Sequence, residues 1–196
     1  MADTVAEQDR AAARVGKRLF TADEYHRMAE AGILDEDDRV ELIEGEVLEM
    51  SPVGSRHAAC VNRFNSLFNR QVTDKAIVGV QNPVRLDEHS EPEPDLALLR
   101  PREDFYSGDH PAPGDVLLLV EVAETSAEYD SAVKLPLYAR AGIPEVWLVN
   151  LPDESIELHH RAASGEYRET LRAKRGERLA SKTVPELEVA VGDVLG

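Results

Sequence analysis

The chain holds a single cysteine, Cys60, among 196 residues. A lone thiol can form neither an internal disulfide nor a cysteine-based metal cluster, so the sequence points to a reducing compartment and not to secretion. Long hydrophobic runs are equally scarce. The longest, Val116 to Val120, is far too short to cross a bilayer. The first residues, Met1 to Arg18, set Asp3, Glu7, Asp9 and Arg10 among alanines and lack the apolar stretch of a signal peptide. They read as a flexible leader, residues 1–18, ahead of one domain, residues 19–196, of a soluble cytoplasmic protein.

Basic residues are also in short supply. Lys plus Arg number 22 against 38 for Asp plus Glu, a net charge of −16. A field of that sign repels polyanions, which counts against stable nucleic-acid binding. Divalent cations at clustered carboxylates, or a local basic strip, can reverse the sign where a substrate docks. The sequence contains no phosphate-binding glycine loop, no cysteine-rich zinc pattern and no Gly-x-Ser-x-Gly nucleophile turn.

What is present is enough apolar material, 42% of the chain, for one ordinary core. Thr21-Ala22-Asp23-Glu24 has capping-box spacing and predicts a helix from about Ala22 to Ala31. Val40 to Met50, centred on Glu44-Gly45, reads as a hairpin. Ala59, Cys60, Phe64, Leu67, Phe68 and Val72 recur at helical intervals and predict an amphipathic helix over about 55–72. Ala76 to Val80, Val84 to Leu86, Leu96 to Leu99 and Val116 to Ala123 are short strands separated by Pro, Gly and Asp. The run Val116 to Val120 is apolar at every position, the pattern of a central strand covered on both faces. A second capping box, Thr125 to Glu128, opens a helix running to Gly142 and interrupted at Pro136. Glu145 to Val149 is the next strand. Ser155 to His160 and Tyr167 to Leu171 form a final hairpin turning at Ser164-Gly165. The order is mixed α/β.

Glu121 carries the chemical signal. A carboxylate set in Leu118-Leu119-Val120-Glu121-Val122-Ala123 faces a desolvation cost of several kcal/mol unless something compensates it. The bland alternative is a strand-end glutamate that is solvated or salt-bridged. Upstream, Glu91-Pro92-Glu93-Pro94-Asp95 stiffens an acidic approach and sets Asp95 at the mouth of an apolar strand. Two carboxylates at the ends of adjacent strands make a hard oxygen-ligand site suited to Mg²⁺ or Mn²⁺. Asp130, Lys134 and Tyr138 share one helical face, from which Lys134 can look back at the strand end; singly it reads as half of a surface pair with Asp130. Glu46 of the hairpin and His57 at the start of the second helix are auxiliary candidates, although acids alternating along a hairpin usually mark its solvated face. His159 and His160 point to opposite faces of a strand and make a poor metal pair.

Several segments together resemble the Uma-two family of restriction-endonuclease-like proteins in the PD-(D/E)XK superfamily. They are Glu41-Leu42-Ile43-Glu44-Gly45-Glu46, Ser55-Arg56-His57, Glu93-Pro94-Asp95, Val120-Glu121-Val122, and the stretch from Lys134 through Tyr138, Gly142 and Pro144 to Trp147, spanning about residues 20 to 160. The resemblance implies a restriction-endonuclease-like core, a central mixed sheet flanked by helices. In it Asp95 and Glu121 match metal-binding acids and Lys134 the catalytic lysine, with Glu46 and His57 at auxiliary positions. The lysine of the commoner pattern stands two residues after the glutamate; here that position is Ala123, and Lys134 comes from the following helix. Asn150 and Glu93 stand where relatives often have aspartate and glutamine. The implied activity is Mg²⁺- or Mn²⁺-dependent hydrolysis of nucleic acid, DNA favoured. The alternative is a catalytically silent binding or regulatory module that keeps the fold, in line with the −16 charge. A homodimer, paired through an apolar surface or the final hairpin, is a separate expectation.

Overall fold

The computed structural model describes residues 16–35, 37–161 and 166–196. Most of the expected leader and the turn at Ser164-Gly165 lie outside the described residues. Helix α1 (Ala22–Glu30) starts at Thr21, whose side chain accepts from the Glu24 N–H while Glu24 returns a bond to the Thr21 N–H, so the capping box forms. Strands β1 (Val40–Ile43) and β2 (Glu46–Glu49) make the hairpin. Its two turn residues, Glu44 and Gly45, both have positive φ. At Gly45 a Cβ would stand 2.5 Å from that of Leu19, so the turn needs glycine for space as well as for φ.

Helix α2 (Ser55–Val72) buries Cys60, Val61, Phe64, Leu67, Phe68 and Val72 along one stripe. Strands β3 (Ile77–Val80), β4 (Leu96–Leu99) and β5 (Val116–Ala123) follow. Next come a one-turn helix α3 (Ala127–Tyr129), a π turn over Asp130–Lys134 and helix α4 (Leu135–Ala141), which ends at left-handed Gly142. Strands β6 (Glu145–Asn150), β7 (Ser155–Arg161) and β8 (Tyr167–Lys174) complete one six-stranded sheet of order β3-β4-β5-β6-β7-β8. Only β5 and β6 run parallel within it, and they are joined by the crossover through α3 and α4. The sheet is mixed and helices flank it.

Strand β5 is interior, and its alternation feeds two cores. Leu118, Val120 and Val122 pack with α2, while Leu119 packs with α4, the β1 residue Ile43 and the segment holding Val84 and Leu86. Glu121 shares the parity of Leu119 and so lies on the face that α4 covers.

Three expectations are corrected, and the expected interruption near Pro136 is found. Val84 to Leu86 is not a strand: its three N–H groups go to three separate acceptors, Pro92, Pro111 and Ser90, although Val84 and Leu86 are buried. The capping box at Thr125 does not form: Ser126 is the N-cap, and its hydroxyl bonds to Asp130 instead. The interruption near Pro136 is a π turn placed just before it; the widened turn absorbs a residue that lacks an N–H. Finally, β7 and β8 are not the last pair. Strands β9 (Arg178–Ala180) and β10 (Glu188–Ala190) pair with each other, and helix α5 (Val191–Leu195) packs with α2 on the same core.

Candidate active site

The end of β5 opens into a cleft of about 600 Å³. Three parts of the fold supply its chemistry: the β1–β2 hairpin, the approach to β4, and the π turn after β5. Asp95 is buried, and each of its oxygens is engaged. Oδ2 accepts the Val122 N–H at 2.8 Å and lies 3.0 Å from His57 Nε2; Oδ1 accepts from Gln81 at 3.2 Å. The bond to Val122 ties Asp95 to the residue next to Glu121, so the two strand ends are held together by a covered hydrogen bond.

Glu121 is 4% exposed. Its Oε1 accepts from the Tyr138 hydroxyl at 2.5 Å and forms a long contact, 3.5 Å, with the Lys134 ammonium. Its Oε2 accepts no hydrogen bond from a described residue, and the side chain lines the cleft. Burial pushes the carboxyl up to about 8, with the Lys134 charge pulling the other way.

Lys134 is buried, not half of a surface pair. Its Nζ donates to Glu41 Oε2 at 3.0 Å. Burial alone would lower its pKa, but the charges of Glu121 and Glu41 more than offset that and hold it above the ordinary lysine value. The π turn explains how one segment points both Asp130 and Lys134 inward. Asp130, also raised by burial, accepts from Ser126 at 2.7 Å.

The structure therefore gathers Asp95, Glu121, Lys134 and His57 around one cleft and leaves Glu46 outside it. Glu46 is 45% exposed at its side chain and pairs with Lys17 at 2.7 Å. Hairpin alternation explains the difference, because Glu41 lies on the inward face of β1, 3% exposed, while the turn carries Glu44 and Glu46 outward. The buried carboxylate that the hairpin contributes to the cleft is Glu41, from a run of acids that the sequence reading placed on a solvated face; Glu49, at the exposed end of β2, also lines it.

Sequence reasoning also missed Gln81, Glu93 and Tyr129 as lining residues. Glu93 is held above the usual carboxylate range by burial and then by Glu41, whose Oε2 accepts its N–H at 3.3 Å. The Tyr129 hydroxyl and His57 Nδ1 are buried polar atoms with no hydrogen-bond partner among the described residues. His57 is raised above its ordinary value mainly by its bond to Asp95.

A family model described as "Uma2: Putative restriction endonuclease" matches residues 22–192, which includes every element that builds this cleft. The chain belongs to the Uma2 family. No curated protein matches it. Among solved structures it is similar to one described as a "putative nuclease" of the DUF820 group from Anabaena variabilis. That chain has 16% identity, a TM-score of 0.69, and coverage of 90% of this chain and 97% of the other. At that identity the likeness shows the shared fold: the Uma2 chain is built on the same mixed sheet and flanking helices as that nuclease-like structure. The type IIG restriction endonuclease BpuSI aligns over 60% of this chain and 14% of its own length, with 19% identity and a TM-score of 0.38. Among the described residues of this Uma2 chain, no helix is long and apolar enough to span a membrane.

Proposed function

We propose that the protein is a divalent-metal-dependent endonuclease that hydrolyses phosphodiester bonds of nucleic acid, with DNA favoured, in a reducing, cytoplasmic setting. One observation carries this reading: two buried carboxylates, Asp95 and Glu121, line one cleft, with the Lys134 ammonium held beside Glu121 by Glu41. The donor set suits Mg²⁺ or Mn²⁺, which favour carboxylate, carbonyl and water oxygens. Among the described residues, Glu121 keeps one oxygen without a hydrogen bond, and Asp95 Oδ1 has a single donor at 3.2 Å. Those two side chains would hold the ion. When bound, it supplies Lewis-acid stabilisation of the phosphoryl oxygens and lowers the pKa of a water.

The protein's own groups divide the rest. Lys134 stays charged, so it orients water and stabilises developing negative charge and does not act as the base. Tyr138 and Lys134 together fix the Glu121 carboxyl. His57 holds Asp95 through Nε2 and is placed to exchange a proton at that edge of the cleft. Helix α2 begins at Gly54 with no side-chain cap, and Gly54 lines the cleft, so its amide donors favour an anionic group there.

The test is cleavage of plasmid and single-stranded substrates with Mg²⁺ or Mn²⁺. Asp95→Ala and Lys134→Ala are each expected to lower the rate by about 100-fold or more. Cleavage undiminished in both variants overturns the assignment. A second reading, a silent binding or regulatory module, draws on the lining of the cleft, where seven carboxylates face two permanent cations, Arg39 and Lys134. Calorimetry separates the two: Mn²⁺ binding that Asp95→Ala abolishes, without any cleavage by the wild type, favours the module. The proposal includes a homodimer formed along the edge strand β8, where Leu171 is 47% exposed. Sedimentation showing only monomer rejects that part.

A further inference from the structure

A second cluster lies away from the cleft, where three distant segments meet: His26 from α1, Glu91 from the approach to β4, and His110 from the loop before β5. One ligand atom from each can be chosen so that all three lie within 4.8 Å of one another. His26 Nε2 is 2.6 Å from Glu91 Oε1, and the two imidazoles meet edge to face at 5.5 Å.

Glu91 makes the cluster more than a chance meeting of polar groups. Its side chain is 1% exposed, and Oε2 is buried without any hydrogen-bond partner among the described residues. A carboxylate oxygen removed from water and left unpaired is costly, and an ordinary histidine–glutamate pair satisfies only its other oxygen. Neither histidine blocks access: His26 is 38% exposed and His110 is exposed.

We infer that His26, Glu91 and His110 form a zinc site. Two imidazoles and one carboxylate are the donors that zinc takes at about 2.0–2.2 Å, whereas Mg²⁺ selects oxygen ligands. The two partly exposed imidazoles can swing inward to reach those distances while Glu91 stays fixed by its buried position. Its backbone is fixed too, since the Glu91 N–H donates to the Leu42 carbonyl at 2.7 Å in an isolated bridge to β1. Water completes the coordination sphere on the open side. The ion clamps α1 and the 100–115 loop onto the start of Glu91-Pro92-Glu93-Pro94-Asp95, the stiff segment whose far end delivers Asp95 to the cleft. The site is thus distinct from the carboxylate pair in the cleft and does not depend on the chain being a nuclease.

The experiment titrates Zn²⁺, and Co²⁺ as a spectroscopic probe, into the tag-free full-length chain, with Mg²⁺ as the contrast. The expected result is one equivalent of Zn²⁺ that excess Mg²⁺ does not displace, with a Co²⁺ visible spectrum of a nitrogen–oxygen site. His26→Ala and His110→Ala, both at exposed or partly exposed positions, should each weaken that equivalent by at least about 10-fold, whereas Asp95→Ala should retain it. Absence of Zn²⁺ binding by the wild type overturns the inference, as does binding that both histidine variants leave unchanged. Loss of the same equivalent in Asp95→Ala alone would assign the ion to the cleft and overturn it as well.

Discussion

Glu121 on β5 and Glu145 on β6 are buried carboxylates on adjoining parallel strands, 4% and 0% exposed. Glu145 is saturated. Its Oε1 accepts from Trp147 Nε1 at 2.7 Å, and its Oε2 accepts from the Lys182 and Thr183 N–H groups at 2.8 and 2.9 Å and from the hydroxyls of Thr183 and Ser181. Every donor comes from Trp147 or from 181–183, so the carboxylate pegs the C-terminal segment to the sheet. Glu121 has one short bond, one long contact and, at a cleft, an oxygen that accepts from no described residue. The same side chain, at similar burial, serves structure where its lone pairs are filled and is available for chemistry where they are not.

The comparison breaks first at Glu145. Glu145→Ala leaves the Trp147 and Lys182 N–H groups without their acceptor and takes one of two partners from the Thr183 N–H and from the Ser181 and Thr183 hydroxyls, so a loss of about 3–5 kcal/mol is expected. In a chain of this size that is a fall in Tm of roughly 10 °C, read by circular dichroism. A loss below about 1 kcal/mol would show that the peg carries no weight.

Glu121→Gln should behave in the opposite way. In the folded chain burial pushes the Glu121 carboxyl up to about 8, while an unfolded glutamate releases its proton near the ordinary 4.5. Between those values the unfolded state binds fewer protons, so the metal-free protein loses stability as pH rises through that window. The amide cannot ionise, and the variant should therefore show a shallower decline in Tm from pH 5 to 8, with a residual slope from Glu93 and Asp130, which are raised in the same direction. Nuclease activity should fall by about 100-fold or more. Identical slopes in wild type and variant would place the buried proton elsewhere.

Much of this contrast was legible before folding, and the rest was not, for reasons of range. Glu121 announced itself because it interrupts an apolar strand, and α2 was readable over 55–72 because six apolar residues repeat at one period. Glu41 was hidden. It shares Glu41-Leu42-Ile43-Glu44-Gly45-Glu46 with two exposed acids, and only its contact with Lys134, far along the chain, distinguishes it. The partners of Glu145 lie at 181–183, in a segment whose elements have only three to five residues, too short to print a period. The same limit hid β9, β10 and α5. Val84 to Leu86 failed differently: alternation records which side chains are buried, and it is silent on whether the backbone finds a neighbouring strand.

The smallest expected effect sharpens the comparison most. Tyr138→Phe removes the closest donor to Glu121 without changing the shape of the core, since Tyr138 is fully buried and packs among Leu137, Ile143 and Leu148. The loss in stability near pH 6 should be only about 1 kcal/mol, because Glu121 is already protonated there and retains Lys134 nearby. The tyrosine bond lowers the Glu121 pKa, so its removal should move the carboxyl further up and extend the pH-dependent loss of stability above 8. Removing the indole donor to Glu145, by Trp147→Phe, costs more through the cavity it leaves. Matching pH profiles for the Tyr138 variant and the wild type would mean that burial and Lys134 set the state of Glu121 without the tyrosine.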